Sequence, residues 1–183
     1  MFKVDLGGGA ELRALEPWQA EEFLAHMDRA RESVDQWIPW ASMSADLAGA
    51  RKTLQRYADL QASDAGRLYG IWLDGVLVGG TLFRTFDAER GDCEIGCWLE
   101  PAATGRGLVT MAVRSLIDYA VVTRGLYRVE WRCSVENVAS SNVARRVGMT
   151  LEGTLRATFP WKGERRDTQI WALLAPDWPG VES

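Results

Sequence analysis

Residues 94–121 read EIGCWLEPAATGRGLVTMAVRSLIDYAV, and along this stretch the spacing of the apolar residues changes from that of a strand to that of a helix. In the segment 92–99 apolar side chains alternate with others, which predicts a β-strand. From residue 107 the apolar residues lie three or four positions apart, which predicts a helix over Gly107–Arg124. The apolar stripe of that helix comprises Leu108, Ala112, Leu116 and Ala120, and its polar face comprises Thr110, Arg114 and Asp118.

The loop between this strand and helix carries Gly105, Arg106 and Gly107. Glycines allow backbone N–H groups to turn inward, and the first turn of a helix adds free N–H groups and the positive end of the helix dipole. The loop is not a Walker loop, because no Gly-Lys-Ser/Thr ends it, and Thr110 replaces the third glycine of a dinucleotide fingerprint. The residues alone therefore predict either a phosphate-binding loop or a plain strand-to-helix turn.

Working outward, the patterns predict an α+β chain with one mixed, mostly antiparallel sheet and helices on both faces. Asp74-Gly75 is a strong signal for a β-hairpin. No repeat or linker divides the sequence, so we expect a single domain over residues 1–183. The other predicted helices are 16–31, 46–61 and 138–147, and the other strands are 10–14, 68–73, 76–86, 128–134, 150–159 and 165–174.

Composition excludes several classes of protein. A net charge of −4 and a pI of about 5.1 argue against a nucleic-acid-binding surface. The N-terminal segment is charged and no segment is long enough to span a membrane, so a cytoplasmic protein is expected. The single histidine and the three scattered cysteines are not expected to assemble a tetrahedral zinc set, so no metal is expected. The histidine, His26, lies in a charge-rich helical segment, and we expect it to face solvent.

Four motifs resemble those of the GNAT N-acetyltransferase superfamily, and they follow one another along the chain as they do in that family. They are the stretch quoted above, VENVASSNVARRVGMTLEG, WIPW and the closing KGERRDTQIWALL. The match runs over residues 10–178 and is closest to the RimJ/RimL branch, whose members acetylate the N-termini of ribosomal proteins. The resemblance implies a GNAT-like fold and an enzyme that transfers acetyl from acetyl-CoA to a primary amine in a ternary complex.

The resemblance also implies which residues bind acetyl-CoA. The amides of Gly105, Arg106, Gly107, Leu108, Val109 and Thr110 would hold the pyrophosphate, the backbone of Cys97, Trp98 and Leu99 would pair with the pantetheine arm, and Asn137 would bond that arm. The family pattern is Gln/Arg-x-x-Gly-x-Gly/Ala, where this chain supplies Thr104, Gly107 and Val109. Only the middle glycine matches.

For catalysis, the resemblance implies Ser140 as the hydrogen-bond donor or acid near the thiolate, because the position of a tyrosine acid in many relatives is Ala144 here. The base is expected to be Glu94, or a water relay, because Phe159 stands where some relatives carry a glutamate. Asn137 and Ser140 equally suit helix caps, and Glu94 equally suits a structural role.

The acceptor remains open at this point. Trp37, Trp40 and Phe159 are expected to line an aromatic acceptor pocket, which disfavours polyamines. The resemblance favours a protein N-terminal α-amine, with a small amine such as an amino-acid conjugate, aminoacyl nucleotide or antibiotic as the alternative. The departures at Thr104, Val109 and Phe159 also leave room for a non-catalytic acyl-CoA-binding module. A homodimer is allowed but not indicated.

Overall fold

The computed structural model describes residues 3–179, in which eight strands form one sheet. The strand order is β1-β2-β3-β4-β5-β6-β8-β7, and every neighbouring pair is antiparallel except β5 and β6. The strands are β1 (Val4–Gly7), β2 (Ala10–Ala14), β3 (Arg67–Leu73), β4 (Val76–Asp87), β5 (Asp92–Leu99), β6 (Arg128–Ser134), β7 (Thr150–Trp161) and β8 (Glu164–Leu174).

Five α-helices connect these strands within residues 3–179. They are α1 (Ala20–Val34), α2 (Trp40–Met43), α3 (Leu47–Ala62), α4 (Leu108–Asp118) and α5 (Val138–Arg146). The Asp46 carboxylate accepts a hydrogen bond from the Gly49 amide and so begins α3. A π-helical turn, Tyr119–Thr123, follows α4, and Gly125 with φ +70° ends it.

Helices cover both faces of the sheet. One buried cluster joins α1 and α3 to β-strand residues such as Trp72, Leu82 and Trp98. The other joins α4 and α5 to residues of the opposite face, among them Ile95 and Trp131. Successive residues of β5 therefore point alternately towards the α1–α3 layer and the α4–α5 layer.

The expected α+β class and the mixed, mostly antiparallel sheet are confirmed. Strands β5 and β6 have the predicted bounds. Several details were wrong. α2 was not predicted, and the helix expected over Gly107–Arg124 is α-helical only over Leu108–Asp118 and continues as the π-helical turn. β1 was not predicted, and the first helix lies three to four residues further along the chain because Pro17 begins a short 3-10 turn instead. Residues 1, 2 and 180–183 of the predicted single domain lie outside the described residues.

Candidate active site

Strands β5 and β6 separate part-way along their length. They pair in parallel register from Asp92 with Arg128 to Ile95 with Trp131. Beyond that point β5 continues along β4 as far as Leu99, while β6 continues along β8 as far as Ser134. Within residues 3–179, the edge 96–99 therefore has no strand partner on the β6 side. Its backbone N–H and C=O groups are available to pair with an extended ligand that carries amides.

The three β5 residues expected at this gap are Cys97, Trp98 and Leu99. Trp98 is buried against the α1–α3 layer, while Cys97 and Leu99 pack against the α4–α5 layer. Burial raises the pKa of the Cys97 thiol to about 12. The thiol is therefore protonated at neutral pH and is not a nucleophile, which leaves the backbone as the reactive feature of this segment.

The glycine loop ends at an uncapped helix N-terminus. Gly105 and Gly107 have φ values of +79° and +75°, in the left-handed region, and Gly107 begins α4 without any side-chain cap. A Cβ at either glycine would meet no atom within 4 Å, so these positions need glycine for its backbone freedom rather than for space. Gly105, Arg106 and Gly107 are exposed. The loop can thus present free amides and a guanidinium to an anion.

Asn137 and Ser140 lie at the start of α5. The Asn137 side-chain oxygen accepts a hydrogen bond from the Ser140 amide at 3.1 Å, so Asn137 is a helix cap. Its side-chain NH₂ group is not used by this bond and can donate to a ligand.

The Ser140 hydroxyl is oriented by a buried tryptophan. Ser140 Oγ accepts a hydrogen bond from the Trp131 indole N–H at 2.9 Å. Trp131 is the last β6 residue that pairs with β5, which ties Ser140 to the apex of the gap. Because the indole can only donate, the serine proton is free to donate elsewhere. Sequence reasoning missed Trp131.

Glu94 lies on the other face of β5. Its carboxylate is 3.2 Å from Arg84 Nη1 and 3.9 Å from Arg132 Nε, and its side chain is 15% exposed. Burial raises the pKa of the Tyr57 hydroxyl, which also senses the charges of Arg84 and Glu94. The Glu94 carboxylate therefore lies between two guanidinium groups on the α3 side of the sheet, and it does not share a face with Ser140.

The expected acceptor residues form two groups. Trp40 packs edge-on against Tyr57 at 5.6 Å and against Trp98 at 5.0 Å, measured between ring centroids. Trp37 and Phe159 form the other group, and both lie beside Arg166. The Arg166 guanidinium is 5.6 Å from the centroid of the Trp37 ring, and Arg166 is the register partner of Phe159 across β7 and β8.

Arg166 was missed by sequence reasoning. Its Nη1 donates to the Gln36 carbonyl at 3.2 Å, and its Nε lies 3.3 Å from a Glu136 oxygen. It thereby connects the α1–α2 segment, β8 and the segment before α5. The only signal in the sequence was a run of charges, which gives no indication of distant partners.

Comparison with known proteins decides the family. The model of the Acetyltransferase (GNAT) domain matches residues 10–150. The chain belongs to the GNAT acetyltransferase family. It is therefore an acetyl-CoA-dependent N-acetyltransferase, and the expected family, activity and acyl donor are confirmed.

Relatives of this GNAT chain include proteins named for ribosomal substrates. It is 30% identical over 185 residues to the putative ribosomal N-acetyltransferase YdaF of Bacillus subtilis, covering 98% of this chain and 99% of YdaF. It is 28% identical over 141 residues to the ribosomal-protein-serine acetyltransferase of Escherichia coli, covering 77% and 79%. A solved structure of RimL with coenzyme A has the same fold, with a TM-score of 0.89, 22% identity and coverage of 96% and 99%.

Two further observations bear on what the GNAT chain contains. Among residues 3–179, no three His, Cys, Asp or Glu side chains are grouped so that they could hold a metal ion. In the same residues, no helix has the length and apolar character needed to cross a lipid bilayer.

The expectation that His26 faces solvent was wrong. His26 is completely buried on α1, on the same helical face as Phe23, Met27 and Ala30. Its ring contacts Trp98 and Glu100, which flank the last residue of β5. Burial lowers the pKa of His26 to about 4, against the opposing effect of the Glu100 carboxylate. The imidazole is therefore neutral at pH 7.

This burial predicts a loss of stability in acid. An unfolded histidine titrates near 6.5, so between about pH 6.5 and about pH 4 the unfolded chain binds a proton that the folded ring does not. The unfolding free energy is therefore expected to fall through this window as pH is lowered, by at most about 3 kcal/mol. The charged groups that act on the ring, Glu100, Arg29 and Glu22, are included in that shift.

Urea unfolding of the wild type and of His26→Gln across this pH range tests the prediction, because carboxyl groups that do not contact the ring contribute equally to both proteins. The stability difference between the two should shrink or reverse in acid. Parallel stability curves would show that the ring does not resist protonation.

Proposed function

We propose that this GNAT enzyme transfers acetyl from acetyl-CoA to the α-amine of a protein N-terminus by direct attack in a ternary complex. The observation that carries the proposal is the gap between β5 and β6, which has Ser140 tied to its apex and an uncapped helix N-terminus beyond its end. In this arrangement the amides of 105–110 bind the pyrophosphate and the backbone of 97–99 pairs with the pantetheine arm. Asn137 donates its side-chain NH₂ to the same arm.

The chemical step requires positioning, a neutral amine and help for the departing thiolate. The amine nitrogen attacks the thioester carbonyl, a C–N bond forms, and the C–S bond breaks. The backbone of β5 polarises the carbonyl oxygen. Ser140 donates a hydrogen bond to the leaving sulfur, or passes its hydroxyl proton to the sulfur and regains one from solvent, while the Trp131 indole N–H donates to the serine oxygen.

The amine approaches from the face opposite Ser140. On that side Trp40 packs edge-on against Trp98. Trp37 and Phe159, joined by Arg166, form the other boundary of the acceptor site.

A groove along α3 supports a polypeptide acceptor over a small amine. Its volume is about 800 Å³, and it includes Trp40, Met43, Thr53, Tyr57 and Leu60 among its walls. Trp40 lines this groove and also packs edge-on against Trp98, so the groove reaches the α1–α3 face of β5. The space is several times that of one side chain, which suits a chain that extends beyond its first residue. The names of YdaF and of the E. coli relative agree with a ribosomal protein as the acceptor.

A ribosomal acceptor agrees with the predicted cytoplasmic location. We further propose that residues 1–183 act as one domain. A homodimer and the lack of a nucleic-acid partner remain predictions.

The proposed base is Glu94, acting through water. Its carboxylate is paired with Arg84 and Arg132, and bulk solvent shares the role of proton acceptor. An α-amine has a pKa near 8 and a lysine amine a pKa of about 10.4. An appreciable fraction of the α-amine is therefore neutral at pH 7 without a strong general base. An enzyme without a strong general base is therefore expected to acetylate α-amines in preference to lysine side chains.

We expect Glu94→Gln to shift the pH–rate profile to higher pH without removing activity at high pH. The glutamine keeps the shape of the side chain but cannot take the proton, so a larger fraction of the amine must deprotonate in solution. The profile of kcat/KM against pH measures this, with Glu130→Gln as the control, because Glu130 lies opposite Glu94 on β6 and also pairs with Arg132. An unshifted profile would remove Glu94 from the proton path.

Mass spectrometry of acceptors after incubation with isotope-labelled acetyl-CoA tests the proposed function. The panel contains peptides with a free N-terminus, the same peptides blocked at the N-terminus but carrying lysine, and small amines such as amino-acid amides. We expect label on the free α-amine of peptides. Faster labelling of small amines would favour the alternative acceptor class, and binding of acetyl-CoA without transfer to any amine would indicate a binding module.

A further inference from the structure

A buried hydrogen-bond network ties α1 to the end of β5 and has no part in the proposed chemistry. The Trp98 indole N–H donates to His26 Nε2 at 2.9 Å. On the other side of the ring, His26 Nδ1 lies 3.2 Å from a Glu100 carboxylate oxygen. The same oxygen accepts from Arg29 Nε at 3.1 Å, and Arg29 Nη2 donates to the Leu77 carbonyl at 2.6 Å.

The network determines the tautomer of His26. The Trp98 indole can only donate, so Nε2 must be unprotonated. The neutral ring therefore carries its hydrogen on Nδ1 and donates it to Glu100. Each polar atom of the ring has one partner of the correct kind, and both partners lie on the chain segment that enters the glycine loop.

The network acts where β5 has left β6. The last β5 residue that pairs with β6 is Ile95, and Trp98 and Glu100 follow three and five positions later. Both residues are less than a tenth exposed. The Trp98 ring occupies space that Gly80 of β4 leaves free, because a Cβ at Gly80 would approach the ring to 2.2 Å. This segment of β5 is therefore held against β4 and α1, away from β6.

We propose that His26 is a positioning residue for acetyl-CoA binding, which anchors the end of β5 and the start of the glycine loop to α1 and so keeps the β5–β6 gap open. The inference rests on the proposed placement of the pantetheine arm in this gap. Without the two hydrogen bonds, the indole and the carboxylate lose their common support. The backbone edge 97–99 and the loop that begins at Glu100 then no longer keep their relative positions.

Three variants test this role. His26→Leu removes both hydrogen bonds, whereas His26→Gln keeps an acceptor for Trp98 and a donor for Glu100 in one side chain. Phe23→Leu is the matched control, because Phe23 is fully buried one turn earlier on α1 and makes no hydrogen bond to β5. Calorimetry with acetyl-CoA gives the Kd, steady-state kinetics separate KM from kcat, and melting curves report stability.

We expect His26→Leu to raise the Kd and the KM for acetyl-CoA by about tenfold or more, and to leave kcat at saturation within about threefold of the wild type. His26→Gln should stay within about threefold in all three quantities. Phe23→Leu should lower the melting temperature without a comparable change in Kd. If His26→Leu does not fold, Trp98→Phe decides, because it removes the indole donor and keeps an aromatic ring; a raised Kd is expected.

Two outcomes overturn the inference and one separates it from the proposed function. An unchanged Kd in a folded His26→Leu or Trp98→Phe protein would make the network a stabilising element only. An equal rise in Phe23→Leu would mean that any loss of α1 packing has the same effect. If the wild type does not bind acetyl-CoA, the proposed acetyl-CoA site is wrong, and the role of His26, which rests on that site, is wrong as well.

Discussion

Replacing Gly107 with aspartate is expected to raise the Kd for acetyl-CoA by about 100- to 1000-fold. Gly107 begins α4, and its φ of +75° is tolerated by aspartate and asparagine better than by other side chains. The new carboxylate would accept the free amides of the first turn of α4 and repel the pyrophosphate. Two like charges about 4 Å apart at a protein surface repel by about 4 kcal/mol, which corresponds to this fold-change.

Gly107→Asn is the matched control for this change. It has the same shape and the same backbone demand but no charge, so its Kd is expected to rise far less. Calorimetry with acetyl-CoA measures both, and melting curves confirm folding, because an acidic cap at a helix N-terminus stabilises the helix. Equal affinities in the two variants would contradict the assignment of the loop to the pyrophosphate.

Replacing Ser140 with alanine is expected to lower kcat by about 10- to 1000-fold with little change in the Kd for acetyl-CoA. The range is that of a lost proton donor to a leaving group. The helix itself should survive, because the Asn137 cap uses the Ser140 amide rather than its hydroxyl. Pre-steady-state release of free thiol measures the step directly.

The neighbouring serine provides the control for Ser140. Ser141 Oγ donates to Gln169 Oε1 at 2.7 Å and lies 3.5 Å from the Cys133 sulfur, away from the Trp131 indole. Ser141→Ala removes the same hydroxyl one position along α5 and should leave kcat within about threefold. A wild-type rate in Ser140→Ala, or a defect in binding alone, would make Ser140 a structural residue.

The strand, glycine loop and helix of the proposed acetyl-CoA site were predictable from the sequence. The alternation along 92–99 and the stripe from Leu108 give the strand and the helix, and Gly105 and Gly107 both have the left-handed backbone that a sharp loop requires. That the backbone of 97–99 is open to the pantetheine arm was expected only through the family resemblance. Whether an edge of β5 is paired depends on which strand lies beside it, and nothing in the alternation of its side chains records that.

His26 and Arg166 both have partners that are distant in the sequence, and sequence patterns do not predict such contacts. The buried face of α1 could have been predicted, because His26 lies three residues after Phe23 and four before Ala30 on one helical face. Its partners could not, since Trp98 and Glu100 are more than 70 residues away. Arg166 likewise acquires its role only when β8 brings it beside Gln36 and Glu136.

A crystal structure of the enzyme with acetyl-CoA tests the central claim most directly. The expected complex has pyrophosphate oxygens within hydrogen-bond distance of the amides of residues 105–110 and the pantetheine amides paired with residues 97–99. The thioester sulfur should lie within reach of Ser140 Oγ. Acetyl-CoA bound along the α3 groove instead, or β5 and β6 paired beyond Ile95 and Trp131 in the complex, would contradict the account.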